Sequence, residues 1–462
     1  MRKLGVILLF LSLSFVSKGQ SLDTLDYPSF LEWVRLYHPV AAQAEINLRM
    51  GDMEVRQARG GFDPLLYGTL DTKEFKESTY YNKQEAGLTI PTWAGVELMG
   101  TFERNSGEFL DPEASVPSDG LIAAGAAVNL GQGLIMDKRR AALRQAKIYQ
   151  ESTQVQRLQL LNELYVDATN SYWKWSTANE DVNVLREGVD LAERRLDFVK
   201  KSFEQGDFPA IDTVEAFSIY LNRLYKLQEA EQTLFAATQD VNTFLWDETG
   251  NPMFLENDIS PESLFGSDIL ILDPVELRTI VSNHPDLQVA DFELASLDVE
   301  KKLKGQEILP VVKLKYNFLT EDLGEFNSPF FENNYKWGVT VYSPLFLRKS
   351  RGAFELAKAK IDFKQNSRDL KELQLRAKLE SELNNYQVLN SQVSVFSQNI
   401  ESLEFLLNGE MRRFEIGESS LFLVNSREVS VFSSRLTLNQ LKMKQRVAYA
   451  KARFAAGLGF DE

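Results

Sequence analysis

The chain has 462 residues, contains no cysteine and carries a formal net charge of −15 at pH 7. The absence of cysteine excludes disulfide bonds, thiolate metal sites and a cysteine that could hold a lipid anchor. The acidic charge argues against nucleic-acid binding. The sequence also lacks a phosphate-binding loop, a Gly-x-Ser-x-Gly elbow and a His-Glu-x-x-His motif. We therefore predict no catalytic residues, no metal site, no cofactor and no enzymatic activity.

Residues 1–19 are predicted to form a secretory signal peptide. Arg2 and Lys3 precede an apolar run from Leu4 to Val16, and Ser17-Lys18-Gly19 fits a cleavage site. The alternative is a membrane anchor, but the apolar run is shorter than the ~20 residues that a spanning helix needs. Removal of Arg2, Lys3 and Lys18 would change the net charge from −15 to −18.

Two helices and a strand-rich segment are predicted next. A helical stretch begins near Asp23 and is interrupted at His38-Pro39, and a second helix runs from about Val40 to Arg59. Turn signals near residues 78–80 and 91–93, with a long loop at 105–119, divide the segment 64–131 into short runs rich in aromatic and β-branched residues. The four predicted strands are Leu65–Phe75, Glu85–Ile90, Ala94–Arg104 and Gly120–Leu130.

The longest predicted helix runs from about Leu134 to Phe203, on the order of 105 Å. Apolar residues at alternating spacings of 3 and 4 form a seam along its second half, which is typical of a coiled coil. The seam consists of Val182, Leu185, Val189, Ala192, Leu196, Val199 and Phe203. Gly206 is expected to end the helix, and Ala210–Trp246 returns with heptad spacing of its own. The sequence therefore predicts a helical hairpin whose tip lies at 203–212.

The same pattern recurs 211 residues later. The corresponding residues are Val393, Phe396, Ile400, Leu403, Leu407, Glu410 and Phe414, so six of the seven seam positions stay apolar. Upstream the offset is 246, because His284-Pro285 repeats His38-Pro39 and Pro310 repeats Pro64. We predict two tandem repeats, 20–246 and 274–462, joined by a linker at 247–273. The second repeat has strands within 311–342 and a hairpin tip near 414–421.

The strands of the second repeat carry aromatic residues at both ends, as strands of a lipid-facing wall do. These aromatic residues are Tyr316, Phe318, Phe330, Phe331, Tyr335, Trp337 and Tyr342. The alternative is a soluble sheet that packs its aromatic side chains inward. Because open sheet edges cannot face lipid, a membrane sheet would have to close by combining several chains.

In these features the chain resembles the TolC-like outer-membrane efflux proteins of Gram-negative bacteria, also called outer membrane factors. The resemblance rests on the duplicated helix–strand–strand–helix order and on the tips Phe203-Glu-Gln-Gly-Asp-Phe-Pro-Ala-Ile-Asp212 and Phe414-Glu-Ile-Gly-Glu-Ser-Ser-Leu421. Asn283-His284-Pro285-Asp286-Leu287 and Gly131-Gln132-Gly133-Leu134 add to it. It implies an α+β membrane protein, a homotrimer with a long α-helical coiled-coil tunnel in the periplasm. A transmembrane β-barrel shared between protomers would lie in the lipid of the outer membrane.

The resemblance also implies partners and roles for individual residues. The tips would dock on a periplasmic adaptor (membrane fusion protein), which connects to an inner-membrane pump or ABC exporter. The implied docking residues are Phe203, Gly206, Asp207, Phe414, Gly417 and Glu418. Asp212 would help to constrict the tunnel, although a solvated helix face is an equal alternative. Leu423 and Ser426 stand where the family has inward acidic residues.

Two further positions depart from the family pattern. Phe414 replaces the usual hydroxyl-bearing aromatic residue, and Ser419 replaces a basic partner. An apolar constriction is therefore expected instead of an ion-paired gate. His38 and His284, each before a proline, are interpreted as helix caps and not as metal ligands.

The first repeat is longer than the second by 246 − 211 = 35 residues, which lie in its strand region. This length suits about two additional membrane strands with their turns. If all four strands cross the membrane, each chain contributes 4 + 2 = 6 strands and a trimer 18, against the family's usual twelve. The alternative places the extra pair in an extracellular flap.

The function expected from these features is a passive exit duct of a tripartite efflux or type I secretion system. The alternative is a non-conducting periplasmic coiled-coil adaptor or structural tether. Two helical hairpins and the lack of a predicted anchor favour the channel.

Overall fold

The computed structural model describes residues 24–256, 258–266, 271–321 and 333–460. The predicted signal peptide, Phe330 and Phe331 lie outside these ranges. The chain divides into two compact units. The first unit comprises Met1–Tyr37, Ala168–Ile269 and Leu389–Arg446, and the second comprises His38–Asp167, Leu270–Val388 and Val447–Glu462.

Helices account for most of the described chain. Their bounds are α1 Tyr27–Tyr37, α2 Pro39–Arg59, α3 Lys138–Gln205, α4 Ala210–Asn242, α5 Pro274–Ile280, α6 Pro285–Gln306, α7 Arg348–Glu415 and α8 Leu421–Ala456. Both predicted helical hairpins are present, as α3–α4 and α7–α8. Within the described residues, no helix has both the length and the apolar character that a membrane span requires.

Helix α3 begins four residues later than predicted, at Lys138 instead of Leu134. Gly133 has a positive φ of 85° and interrupts the helical backbone. The Asp137 carboxylate then accepts the backbone N–H of Arg140 at 2.9 Å. A side-chain acceptor at this position satisfies an N–H that has no partner inside the helix, so Asp137 starts α3.

The first unit buries the predicted coiled-coil seams. Val182 and Val189 of α3 pack with Leu227 of α4, and Val393 and Ile400 of α7 pack with Leu438 of α8. The predicted seam of α3 is buried or half-buried from Val182 to Val199. Full burial of one such aliphatic side chain contributes about 1.5–3 kcal/mol, so the seams hold each hairpin together.

Aromatic packing attaches the N-terminal segment to α3 within the first unit. Phe30 of α1 lies 5.1 Å from the Tyr172 ring, centroid to centroid. The Tyr172 hydroxyl donates to the Leu25 carbonyl at 2.6 Å. Leu25 belongs to β1 (Thr24–Leu25), which pairs in parallel with β6 (Ser260–Pro261). Part of the predicted linker 247–273 is therefore ordered as a strand.

The second unit contains a six-stranded antiparallel sheet in the order β2-β3-β4-β5-β7-β8. Its strands are β2 Leu65–Phe75, β3 Ser78–Pro91, β4 Val96–Ser106, β5 Leu121–Asn129, β7 Val311–Thr320 and β8 Tyr335–Tyr342. The strands of both repeats thus form one sheet, in the order in which they occur in the sequence.

The first hairpin turn of this sheet differs from the prediction. The turn lies at Lys76-Glu77, which have φ values of 53° and 62°, and Ser78 already belongs to β3. The turn predicted at residues 78–80 is therefore wrong. Positive φ at both central residues suits the right-handed twist of a two-residue hairpin. Neither residue is the glycine or asparagine that normally signals such a turn in a sequence, which explains the error.

The histidine caps are confirmed in the second unit. The Nδ1 atoms of His38 and His284 accept the backbone N–H groups of Val40 at 3.2 Å and of Asp286 at 3.1 Å. Proline follows each histidine at the helix start. Burial lowers the pKa of the His284 imidazole, which keeps Nδ1 available as an acceptor.

Candidate functional site at the helical hairpin tips

The first tip closes α3 with a Schellman motif. Gly206 has a φ of 86°, its N–H donates to the Phe203 carbonyl at 3.0 Å, and the Asp207 N–H donates to the Ser202 carbonyl at 2.9 Å. Together these two bonds satisfy carbonyls that have no partner inside the helix. The left-handed conformation predicted for Gly206 is confirmed.

The second tip repeats this geometry. Gly417 has a φ of 79°, its N–H donates to the Phe414 carbonyl at 3.0 Å, and the Glu418 N–H donates to the Arg413 carbonyl at 2.8 Å. A side chain added at Gly206 or at Gly417 would meet no atom within 4 Å. Substitution at either glycine would therefore strain the backbone without creating a clash.

Aromatic packing brings the two tips together. The Phe208 ring of the first tip stacks on the Phe414 ring of the second, with centroids 6.2 Å apart. Both rings cover a small core formed by Leu196, Val199, Ala216 and Leu421. Residues of both repeats meet in this core. The sequence analysis missed Phe208, whose position after a turn glycine has no counterpart in the second tip.

The predicted docking residues differ in exposure. Phe203, which ends the predicted seam, is 44% exposed, and Gly206, Asp207, Gly417 and Glu418 are exposed. Phe414 is half-buried because it packs on the shared core. Five of the six residues are thus accessible in the single chain, whereas Phe414 supports the tip from inside.

Glu410, the polar exception in the second seam, has a local partner. It is 9% exposed, and its Oε1 atom accepts the Ser419 hydroxyl at 2.5 Å. A buried carboxylate needs such hydrogen bonds to offset the loss of water. Ser419, the residue that departs from the family pattern, therefore helps to hold the second tip closed on α7.

The three predicted constriction residues lie on α4 and α8 near the tips. Asp212 is half-buried in the first turn of α4, where the helix dipole favours a negative charge. Leu423 is 43% exposed and Ser426 is exposed on α8. Exposed apolar side chains lie beside them, namely Ile211, Val214 and Phe422. An apolar constriction therefore remains our prediction.

A buried charge cluster was missed by the sequence analysis. The Glu428 carboxylate of α8 is fully buried and accepts Arg195 Nη1 at 2.6 Å, Arg195 Nη2 and Arg223 Nη2 at 2.5 Å. Arg195 Nη1 also donates to Asn425 Oδ1 at 2.9 Å, and Arg223 Nη1 donates to the Gly188 carbonyl at 2.9 Å. We call Arg195, Arg223 and Glu428 the charge triad. It connects α3, α4 and α8.

A comparison of the two repeats contains a signal for the charge triad. With the offset of 211, Arg195 corresponds to Leu406 and Arg223 to Ser434, while Glu428 corresponds to Phe217. All three charges are therefore unmatched between the repeats. Unmatched charges of opposite sign could have indicated in advance that these residues form a cluster, although the sequence does not assign which residue contacts which.

Asp181, another carboxylate of the first unit, has a raised pKa. Burial raises the pKa of Asp181 on α3 to about 6, although hydrogen bonds from Asn439 and Gln440 oppose the shift. The Asn439 amide donates to Asp181 Oδ1 at 2.7 Å. This carboxylate therefore titrates well above the range that is usual for aspartate.

Comparison with known proteins gives one family match. Residues 277–458 match the model of the family described as outer membrane efflux protein. A search of curated protein sequences gave no match to the chain.

Solved structures of similar fold include outer-membrane channels. The outer-membrane channel OprN has a TM-score of 0.70 at 14% identity, covering 94% of this chain and 90% of that one. The outer membrane protein VceC from Vibrio cholerae has a TM-score of 0.68 at 13% identity, covering 94% of this chain and 96% of that one. CusC, whose structures concern transmembrane channel formation, has a TM-score of 0.66 at 15% identity, covering 94% and 92%.

These matches bear on the predictions made from the sequence. The predicted fold class, with long helical hairpins and a sheet in two repeats, is confirmed. The predicted location in the outer membrane agrees with the description of the matched family. Residues 277–458 thus match the outer membrane efflux protein family, and the chain has the fold of solved outer-membrane proteins over 94% of its length.

Proposed function

We propose that three copies of the chain form an outer-membrane channel that serves as the exit duct of a tripartite efflux or type I secretion system. The observation that carries this proposal is the pair of hairpin tips. Two turns of the same geometry, closed by Gly206 and Gly417, lie side by side through Phe208 and Phe414. Two turns held side by side, with exposed residues in each, offer a compact surface on which another protein can dock.

The exposed part of each tip presents a backbone turn and a negatively charged side chain to which an adaptor could bind. Asp207 and Glu418 follow the two glycines and are exposed, so the tips present two carboxylates beside compact turns. Phe203 adds an exposed aromatic side chain. We propose that a periplasmic adaptor binds these residues and connects the duct to an inner-membrane pump or an ABC exporter, which supplies the energy of transport.

Transport through the duct itself is passive in this proposal. Solutes delivered at the tips diffuse through a water-filled bore, and the constriction near Asp212, Leu423 and Ser426 narrows its tip end. The apolar side chains beside these residues support closure by dewetting, as in other hydrophobic constrictions.

Mass determination in detergent and single-channel recording in planar bilayers test the proposal together. We expect a trimer with a stable, water-filled conductance. A helical monomer that conducts no ions would overturn the proposal and favour the alternative, a non-conducting periplasmic tether.

A further inference from the structure

We propose that the sheet of each chain forms six strands of an eighteen-stranded barrel, in which β2 of one copy pairs with β8 of the next. This inference rests on the proposed trimer, since three copies of the six-stranded sheet give 3 × 6 = 18 strands. Each free sheet edge therefore pairs with a strand of a second copy of this chain.

The two sheet edges are open in the single chain. Within the described residues, β2 pairs only with β3 and β8 only with β7. Each edge leaves a row of backbone N–H and C=O groups without partners in the sheet. In lipid an unsatisfied backbone group costs several kcal/mol, so a membrane sheet has to close. Pairing of one edge with the other satisfies both rows at once.

Strand direction permits this closure. All neighbouring strands in the sheet are antiparallel. With six strands in sequence, β8 runs opposite to β2. Placing β8 of one copy beside β2 of the next therefore continues the antiparallel pattern around the ring, whereas an odd number of strands would not.

One face of the sheet is apolar across all six strands. Successive register partners give one continuous row, Leu66, Leu88, Gly100, Ala124, Phe318 and Tyr335. The adjacent row on the same face contains Ile90, Leu98, Ala126, Tyr316 and Trp337. We call this the apolar face. Most of its larger side chains are exposed in the single chain, as expected for side chains that contact lipid, whereas Ile90 and Phe318 are half-buried.

The opposite face carries most of the charged residues of the sheet. Tyr67 donates to Glu85 at 2.7 Å across β2 and β3, and Lys313 Nζ lies 3.2 Å from Glu97 Oε2. Barrels of about 16–18 strands leave an aqueous channel, and this polar face would line it. A flap surrounded by water would have no need of the apolar face.

The extra hairpin is part of the same sheet. By the repeat offsets, β2 corresponds to β7 and β5 to β8, so the 35 additional residues supply β3 and β4. β3 and β4 are paired without a break over ten residues, from Asn82–Ser106 to Pro91–Glu97. Leu88 and Leu98 continue the apolar face through both strands. These features favour a six-stranded wall over an extracellular flap.

Exposure and register indicate how the copies meet. On the apolar face, exposure rises from 40% at Leu88 to 78% at Leu66 on one edge, and reaches 61% at Trp337 near the other. Even-numbered residues of β2 and odd-numbered residues of β8 share this face. In the assembled barrel, Leu66 and Leu70 must therefore lie opposite odd-numbered residues of the neighbour's β8.

Cysteine cross-linking tests this parity, and the natural chain has no cysteine to remove. Leu70→Cys serves as a fixed cysteine, or anchor, on β2. It would be combined with a second cysteine placed in turn at each position of β8 from Tyr335 to Val341. A short bifunctional thiol reagent spans the Cβ separation of opposed residues, about 4.5–5.5 Å. In membranes from cells, we expect covalent dimers and trimers with the highest yield at an odd-numbered position, and a several-fold loss at its even-numbered neighbours.

A second anchor on β2, used in place of Leu70→Cys, should give the opposite pattern of cross-linking along β8. Thr69→Cys lies next to Leu70 but on the polar face, so it should cross-link to even-numbered positions of β8. A third anchor, Leu98→Cys on β4, tests a flap formed by β2 and β3 at the free end of the sheet, which would leave β4 as the edge of a twelve-stranded wall. Cross-linking of β8 to Leu98→Cys and not to β2 would overturn the proposal.

The outcomes separate this inference from the proposed function. A trimer that conducts ions but gives no β2–β8 product, or gives the same pattern from both β2 anchors, overturns the eighteen-stranded barrel and leaves the channel intact. A monomer without conductance overturns the channel itself. As an independent readout, a lipid-phase label should modify Leu88→Cys and Ile90→Cys but not Thr89→Cys. Labelling of all three by a water-soluble reagent added from outside would place them in a flap and overturn the wall.

Discussion

The charge triad provides the sharpest test of what stabilises the tips. Glu428→Gln removes the only carboxylate between Arg195 and Arg223 that the structure describes. Both guanidinium groups are largely buried, with side-chain exposures of 12% and 9%. The substitution therefore leaves two buried positive charges without a counter-ion, while the size of the side chain stays the same.

Removing one partner of a buried ion pair typically costs about 3–5 kcal/mol. In a cooperative unit of about 150–250 residues, 1 kcal/mol shifts the Tm by roughly 2–4 °C. We therefore expect Glu428→Gln to lower the Tm of the helical signal by on the order of 10 °C. The measurement is thermal unfolding of the purified full chain, followed by circular dichroism.

A second glutamate in the same unit serves as the matched control. Glu404 accepts Arg435 Nη2 at 2.6 Å, but both side chains are about a third exposed, 38% and 31%. Such solvent-accessible pairs contribute about 0–1 kcal/mol, so Glu404→Gln should shift the Tm by only a few degrees. Equal shifts for the two variants would refute the assignment of the triad as a buried, stabilising cluster.

Three further predictions concern the tips, the bore and pH. The double variant Gly206→Asp, Gly417→Asp should lose roughly 1 kcal/mol or more of folding free energy per site through left-handed backbone strain. It should still insert into the membrane but lose adaptor cross-linking and export. Gly409→Asp, in the interior of a helix, is the control, and unchanged export in the double variant would disprove docking. The proposed trimer, without its predicted signal peptides, would carry about 3 × −18 formal charges. The proposed channel should therefore prefer cations, less so in 1 M salt, where screening shortens to ~3 Å. Clear anion preference at low salt would contradict this. Because burial raises the pKa of Asp181 to about 6, the folded state favours the protonated acid, and this contribution to stability is present below about pH 4 and lost as pH rises through 6. Asp181→Asn, whose side-chain oxygen can still accept from Asn439, should therefore raise the Tm at pH 7.5 and have no such effect near pH 4; the same change in Tm at both pH values would rule out this titration.

Local sequence patterns determined the helical part of the protein. The seam from Val182 to Val199 is buried as its spacing predicts, because the 3.5-residue period places these side chains on one side of a helix whatever the rest of the chain does. Gly206 and Gly417 end their helices in the left-handed conformation, and His38 and His284 cap theirs. These outcomes depend on interactions between residues a few positions apart.

The sheet and the tip contacts were decided by the tertiary structure. The sequence suggested strands and an inserted pair, but only the pairing register shows that all six strands share one apolar face. Phe208 meets Phe414, and Arg195 meets Glu428, across more than 200 residues of sequence. No local sequence pattern of either residue identifies its partner, because such contacts form only when the two hairpins pack together. The free energy of these contacts therefore depends on the packed arrangement of distant segments, which local spacing in a single sequence does not encode.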